Sequence, residues 1–136
     1  MLYTYVGGHI SHVSDLLNEY EYDFTWSGDN LVTIYLSSQY GDYSYYDTTM
    51  LTYDNEHNPL QIQSGIELVG EWSGDYRMFL SANNVLQVHS RYVEAGYSGE
   101  EVRTYSYTYD DDGYPVSMTY TWDSDEPIHV TFTYYE

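Results

Sequence analysis

The sequence predicts an all-β fold, a single antiparallel up-and-down meander of about eleven strands, and three observations support this prediction. Tyrosine is the commonest residue, with 20 in a chain of 136, whereas there are only two alanines and no lysine. Tyr and Thr favour strands, and Ala favours helices. Polar and apolar residues alternate with period two, and turn residues interrupt this alternation at short intervals. We expect the sheet to be strongly twisted or curled toward a barrel.

The alternation defines the strands in order along the chain. Near the C-terminus, Val116, Met118 and Tyr120 alternate with serine and threonine. One buried and one solvated face is typical of antiparallel sheets. Residues 14–19 begin with a Ser cap, but they are too few to form a stable helix. The predicted strands are residues 2–6, 9–14, 20–26, 30–37, 45–53, 59–68, 74–80, 85–94, 101–109, 115–122 and 128–135.

A hairpin-like segment recurs five times, with an aromatic start, a polar turn and an alternating apolar exit. The five segments start at Tyr5, Trp26, Tyr53, Phe79 and Tyr109. Their turns consist of Asn, Asp, Gly and Ser, which tolerate left-handed backbone or bond to their own main chain. No linker rich in Pro, Gly or Ser divides the chain. We therefore expect residues 1–136 to be a single all-β domain of about five hairpin repeats plus a final strand.

The charge balance excludes several classes of function. Three arginines, with no lysine, against 22 Asp and Glu residues give a formal net charge of −19. So few cations cannot neutralise a run of phosphates, which excludes direct nucleic-acid binding. No apolar stretch approaches the roughly 20 residues of a membrane-spanning helix. The chain contains no cysteine, which excludes disulfides, thiol catalysis and thiolate zinc sites.

No motif predicts catalysis, a cofactor or a metal site. The sequence lacks a nucleophile-elbow serine and a phosphate-binding glycine loop between a strand and a helix. His9 and His12 are three residues apart, a spacing that puts strand side chains on opposite faces. The run Asp110-Asp111-Asp112-Gly113 is interpreted as a solvated turn, with weak calcium binding as the alternative. We expect a protein that is not an enzyme and that has no cofactor.

Five tyrosines are candidate ligand-binding residues. Tyr40, Tyr43, Tyr45 and Tyr46 crowd a loop that contains Gly and Asp, and Tyr97 lies in a turn between two glycines. Exposed tyrosines beside carboxylates form platforms for glycans or peptides. The alternative is that these rings cover the end of a barrel.

The segment Tyr107-Thr108-Tyr109-Asp110, with Gly113 and an alternating strand after it, resembles the tyrosine–aspartate repeat of Rhs-type bacterial surface and toxin-encapsulating proteins. The serial hairpins also look like a family of function-unassigned domains in Gram-negative gut bacteria. Members of that family are usually lipoproteins and are described as having a porin-like sheet. The resemblance covers most of the chain, and it implies a surface module without catalytic residues.

The sequence therefore predicts a non-catalytic extracellular or periplasmic binding or structural module, such as a surface lipoprotein domain that recognises a glycan, peptide or protein ligand. The alternative is a small acidic cytosolic inhibitor that mimics nucleic acid and binds a basic nucleic-acid-binding protein. Glu19, Glu21 and Asp23 would then form a phosphate-like row with a spacing of about 6.6 Å, from about 3.3 Å per strand residue.

The N-terminal residues determine the expected compartment. Residues 1–5 contain no basic region and no apolar core of a signal peptide. We therefore expect a periplasmic or cell-surface location if a leader precedes Met1, and a cytoplasmic location if Met1 is the natural start.

Overall fold

A computed structural model describes residues 1–17, 19–61, 80–122 and 126–134 of the chain. Within these residues, nine strands form one antiparallel sheet in which each strand pairs with its neighbours in sequence. The strands are β1 (Leu2–Val6), β2 (His9–Asp15), β3 (Tyr20–Ser27), β4 (Asn30–Tyr40), β5 (Tyr43–His57), β6 (Asn83–Glu94), β7 (Tyr97–Tyr109), β8 (Pro115–Trp122) and β9 (Ile128–Thr131). The predicted all-β, up-and-down meander is confirmed. Among the described residues, β1 and β9 are the two outer strands of this sheet.

The strand bounds differ from the predicted ones where the hairpin loops are tight. Strand β8 has the predicted bounds, whereas β5 and β7 begin earlier than expected because each follows a loop of two residues. The predicted strands 59–68 and 74–80 lie mainly outside the described residues. Their described residues, 59–61 and 80, are not in strands, and the predicted last strand ends at Thr131 instead of residue 135.

The chain divides into two compact units. The first unit contains Met1–Leu51 and His89–Glu101, and the second contains Thr52–Val88 and Val102–Glu136. Strands β5, β6 and β7 therefore contribute residues to both units. The single domain over residues 1–136 stays a prediction.

The core of the first unit lies on one face of β2 to β5. The register pairs Val13 with Tyr22 and Phe24 with Ile34, and directly opposite residues project from the same face. Burial of apolar area, at about 25 cal/mol per Å², favours this arrangement. The buried apolar residues of this unit are Ile10, Val13, Tyr22, Phe24, Leu31, Ile34 and Leu51.

The second unit combines an apolar core with buried polar contacts. The side-chain amide of Asn58 donates to the Ser81 carbonyl at 2.9 Å, and the Ser81 hydroxyl donates to the Tyr53 hydroxyl at 2.8 Å. These bonds satisfy polar groups that burial removes from water. The buried apolar residues of this unit are Leu80, Val85, Val88, Tyr105 and Met118.

Two of the four Tyr-Asp dipeptides, Tyr53-Asp54 and Tyr109-Asp110, meet in the second unit. The Tyr109 hydroxyl donates a hydrogen bond to the Asp54 carboxylate. Asp54 also accepts from the backbone N–H of Glu56 at 3.0 Å, and Asp110 accepts from that of Asp112 at 3.1 Å. Each aspartate thus closes a turn onto the residue two positions later. Burial, with the bond to Asp54 as the next cause, raises the pKa of Tyr109.

The aspartate run forms an exposed turn before β8. Besides Asp112, the Asp110 carboxylate accepts from the backbone N–H of Tyr114 at 2.9 Å. Asp111 and Asp112 are exposed, and Gly113 has a φ of 82°. The turn therefore has the local geometry that the sequence predicts, with glycine in the left-handed region.

Candidate functional site

The β4–β5 and β6–β7 loops lie side by side in the first unit. Gly41 and Asp42 form the first loop, and Ala95 and Gly96 form the second. The backbone N–H of Ala95 donates to the carbonyl of Ser44 at 3.2 Å, which ties the second loop to the start of β5. Ala95 and Gly96 have φ values of 47° and 89°. This pattern of two positive angles is that of a type I′ hairpin turn.

A side-chain hydrogen bond joins the same two hairpins. The Tyr43 hydroxyl donates to Oε1 of Glu94 at 2.6 Å. This hydrogen bond is the main cause that raises the pKa of Tyr43, since a carboxylate acceptor favours the neutral phenol. The bond therefore holds the ring of Tyr43 in one orientation beside Glu94.

Four of the five predicted tyrosines lie on one face around Glu94. The register pairs Tyr40 with Tyr43, so these two share a face, and Tyr45 joins them because alternate strand residues point to the same side. Tyr97 closes the two-residue loop opposite Glu94. We call Tyr40, Tyr43, Tyr45 and Tyr97 the tyrosine cluster.

The tyrosine cluster has a half-buried base and an exposed rim. Tyr45 is half-buried, and burial raises its pKa to about 12, with smaller contributions from Asp47 and Glu94. Tyr40 and Tyr97 expose 73% and 80% of their surface. Rings this exposed cover little of the core. The alternative, that these rings cover the end of a barrel, therefore fits Tyr45 and does not fit Tyr40 or Tyr97.

Tyr46 lies apart from the tyrosine cluster. It follows Tyr45 directly in β5 and pairs with Ser37, so its side chain projects from the opposite face. There it lines a hollow of about 560 Å³ together with Arg91 and Val93. The five predicted tyrosines are thus divided between two faces, and they do not form a single platform.

Sequence reasoning missed Tyr92 and Glu94. Tyr92 alternates with Glu94 in β6, and its ring lies over Gly99 in β7. A Cβ atom at position 99 would overlap the hydroxyl end of that ring, so the ring would have to shift if residue 99 carried a side chain. The sequence signal that could have located Tyr92 and Glu94 is the two-residue loop of Ala95 and Gly96, because a loop of this length fixes the register of β6 on β7.

The predicted acidic row is shorter than expected. Glu19 precedes β3 and has a φ of 57°, so it lies in the turn rather than on the strand. Glu21 and Asp23 are exposed on one face of β3. His12 lies between them, with Nε2 at 2.8 Å from Glu21 Oε2 and Nδ1 at 2.8 Å from Asp23 Oδ1. A histidine thus interrupts the remaining pair of carboxylates.

The histidines of the first unit pair with carboxylates or aromatic rings. His9 is the first residue of β2, where its ring stacks on Trp26 at 4.4 Å and lies 3.2 Å from Asp29. Nε2 of His89 lies 3.1 Å from Glu100. In the described part of the chain, no group of three or more His, Asp and Glu side chains is placed to hold a metal ion.

Two further results bear on the class of protein. Across the described ranges, no helix has the length and hydropathy needed to span a membrane. Comparison of the chain with protein-family models, curated proteins and solved structures gives no match.

Proposed function

We propose that the protein is a non-catalytic binding module that captures a glycan or a peptide with the tyrosine cluster. The observation that carries this proposal is the exposure of Tyr40 and Tyr97 on the same face as Tyr43, whose hydroxyl is bound to Glu94. Large apolar rings held in water on a supported base are typical of ligand-binding surfaces.

The chemistry of the cluster suits ligands with both apolar faces and polar donors. A tyrosine ring provides contact area at low entropic cost, because only two side-chain torsions become fixed. Glu94 and the loop residue Asp42 offer carboxylate oxygens that can accept hydrogen bonds from hydroxyl or amide groups. Sugar rings and extended peptides present both kinds of surface.

We place the module in the periplasm or at the cell surface, as a lipoprotein-like domain. This part of the proposal rests on the resemblance of Tyr107-Thr108-Tyr109-Asp110 to surface-protein repeats.

Mimicry of nucleic acid, the alternative function, depends on Glu19, Glu21 and Asp23. A mimic needs carboxylates in a continuous row that a basic protein can reach. The placement of Glu19 in a turn and of His12 between the other two disfavours such a row. We therefore prefer the binding module.

A ligand screen with matched double variants tests the proposal. Glycans and peptides are screened against the protein, and each ligand found is then titrated into Tyr40→Ser/Tyr43→Ser and into the control Tyr35→Ser/Tyr46→Ser. The control removes two rings from the opposite face, where Tyr35 and Tyr46 are 38% and 39% exposed. We expect the cluster variant to weaken binding about tenfold or more, the effect of losing contacts worth over ~1.4 kcal/mol. Equal losses in both variants would contradict the proposal.

A second pair of variants tests the alternative function, mimicry of nucleic acid. Glu19→Gln/Glu21→Gln/Asp23→Asn is compared with the turn variant Asp110→Asn/Asp111→Asn/Asp112→Asn for binding to a basic nucleic-acid-binding protein. The binding module predicts equal, modest losses, since total charge alone sets such attraction. A selective loss in the first variant would support mimicry instead.

A further inference from the structure

Strand β1 is an edge strand with little protection against pairing. Among the described residues it pairs with β2 alone. The alternate N–H and C=O groups of an edge strand point away from its neighbour and can pair with another chain. Natural edges are usually protected by charges, prolines, bulges or short length. The five residues of β1, Leu-Tyr-Thr-Tyr-Val, include no charge and no proline.

The apolar residues of β1 are also exposed. Leu2 and Val6 expose 62% and 69% of their surface. The register shift in the β1–β2 pair leaves the extra residue, Ser11, in β2, so β1 itself carries no insertion. The other edge strand, β9, has only four residues and follows Glu126 and Pro127. The two edges therefore differ, and β1 is the one that offers a pairing surface.

The charges behind β1 are all negative. Residues 1–51 contain seven Asp and Glu residues and no Lys or Arg. The register places Leu2 in line with Ser14 and Glu21, and Thr4 in line with His12 and Asp23. The face that an added strand would extend thus carries carboxylates on β3, three strands from the added strand.

We propose that the outer edge of β1 binds an extended, lysine- or arginine-bearing segment of a partner protein, which adds to the sheet as a further strand. Main-chain hydrogen bonds supply affinity in such strand addition, and alternate side chains supply specificity. The net charge of −19 attracts the basic side chains and repels a second copy of this chain, which carries the same charge. This site is separate from the tyrosine cluster and does not depend on its function.

Synthetic peptides test this assignment directly. The probe is a seven-residue peptide of alternating valine and lysine. One control peptide replaces lysine with glutamate, and another is N-methylated at alternate residues, which keeps the charge and removes backbone donors. We expect the first peptide alone to bind, and amide exchange at residues 2–6 to slow about tenfold or more in the complex.

Matched protein variants locate the site. Leu2→Lys/Val6→Lys adds two charges to the edge strand, whereas Leu16→Lys/Leu17→Lys adds two charges to a turn at residues that are 70% and 91% exposed. We expect the β1 variant to weaken peptide binding about tenfold and the turn variant less than threefold. Circular dichroism is used to check that both variants fold.

Three outcomes would overturn the proposal. Equal binding of the N-methylated peptide would show that charge alone drives association. Equal losses of peptide binding in the two lysine variants would also show that charge alone drives association. If the protein forms a dimer by analytical ultracentrifugation without peptide, and the β1 variant abolishes that dimer, a second copy occupies the edge.

Discussion

The Tyr43 hydroxyl and the Glu94 carboxylate are 51 residues apart in sequence and 2.6 Å apart in the folded protein. Their hydrogen bond ties the β4–β5 hairpin to the β6–β7 hairpin at the point where the tyrosine cluster meets solvent. This contact holds the Tyr43 hydroxyl against Glu94, on the face that Tyr43 shares with Tyr40 and Tyr45.

Removal of the Glu94 charge should change the ionisation of Tyr43. The bond from the phenol to the carboxylate raises the pKa of Tyr43 above its usual 10.0. In Glu94→Gln we expect this pKa to fall toward the usual value, because the amide oxygen is a weaker acceptor than a carboxylate. Ring-resolved NMR titration of tyrosine measures the shift. Glu100→Gln is the control, and an unchanged Tyr43 in Glu94→Gln would contradict the account.

Stability should fall at alkaline pH in part through Tyr45. Its pKa is about 12 in the folded protein and about 10 in an unfolded chain. Between these values the folded state binds more protons, so the free energy of unfolding decreases as pH rises, and below pH 10 this contribution is fully present. Urea melts from pH 10 to 12 should show a shallower decrease in Tyr45→Phe than in the natural protein. Tyr5→Phe, which alters an exposed residue of β1, is the control. If the free energy of unfolding decreases as steeply with pH in Tyr45→Phe as in Tyr5→Phe, this role of Tyr45 is contradicted.

A methyl group at position 99 should disturb Tyr92. The added Cβ would overlap the tyrosine ring, so we expect Gly99→Ala to reduce the free energy of unfolding by about 1–3 kcal/mol, as overpacking does. Ser98→Ala is the neighbouring control. Truncation of the ring in Gly99→Ala/Tyr92→Ala should recover most of the loss caused by alanine when compared with Tyr92→Ala alone. Simple additivity of the two changes would show that the ring is not the obstacle.

The Asp54 carboxylate should be the most sensitive polar group of the second unit. It accepts from the Tyr109 hydroxyl, and its Oδ1 accepts from the backbone N–H of Asn84 at 3.1 Å. Asn84 is 97% buried, since its exposed fraction is 3%. We therefore expect Asp54→Ala to cost about 1–3 kcal/mol, the penalty of a buried donor left unsatisfied. Chemical denaturation measures this cost, and Asp111→Ala, in the exposed turn, should stay within about 0.5 kcal/mol. Comparable losses would refute the role of Asp54.

The strands were the most predictable feature, because their signal is local. Residues 115–122 alternate without interruption, and β8 has those bounds. Strand β7 begins four residues before its predicted start, because Ala95 adopts a positive φ that permits a tight turn, and a positive φ is uncommon for alanine. A two-residue loop allows longer strands on both sides. In the loop of Ala95 and Gly96 only the glycine is a typical turn residue, since such loops usually contain Asn-Gly, Asp-Gly or Gly-Gly.

The candidate site was predictable in part. The crowding of tyrosines in the sequence identifies Tyr40, Tyr43 and Tyr45. Strand alternation places Tyr45 and Tyr46 on opposite faces, but a loop, as predicted for this segment, has no such alternation. Glu94 required knowledge of how β5 and β6 pair, which no local pattern contains. The Tyr-Asp dipeptides show the same limit, because each aspartate closes its own turn while the bond from Tyr109 to Asp54 joins distant segments.

The most direct test of the account is an NMR titration of the tyrosine rings with a ligand obtained from the screen. If the tyrosine cluster binds the ligand, the ring signals of Tyr40, Tyr43 and Tyr97 shift with one common dissociation constant, while those of Tyr35 and Tyr46, on the opposite face, stay unchanged. Shifts at Tyr35 and Tyr46 without shifts at the tyrosine cluster would contradict the central claim that Tyr40, Tyr43 and Tyr97 bind the ligand.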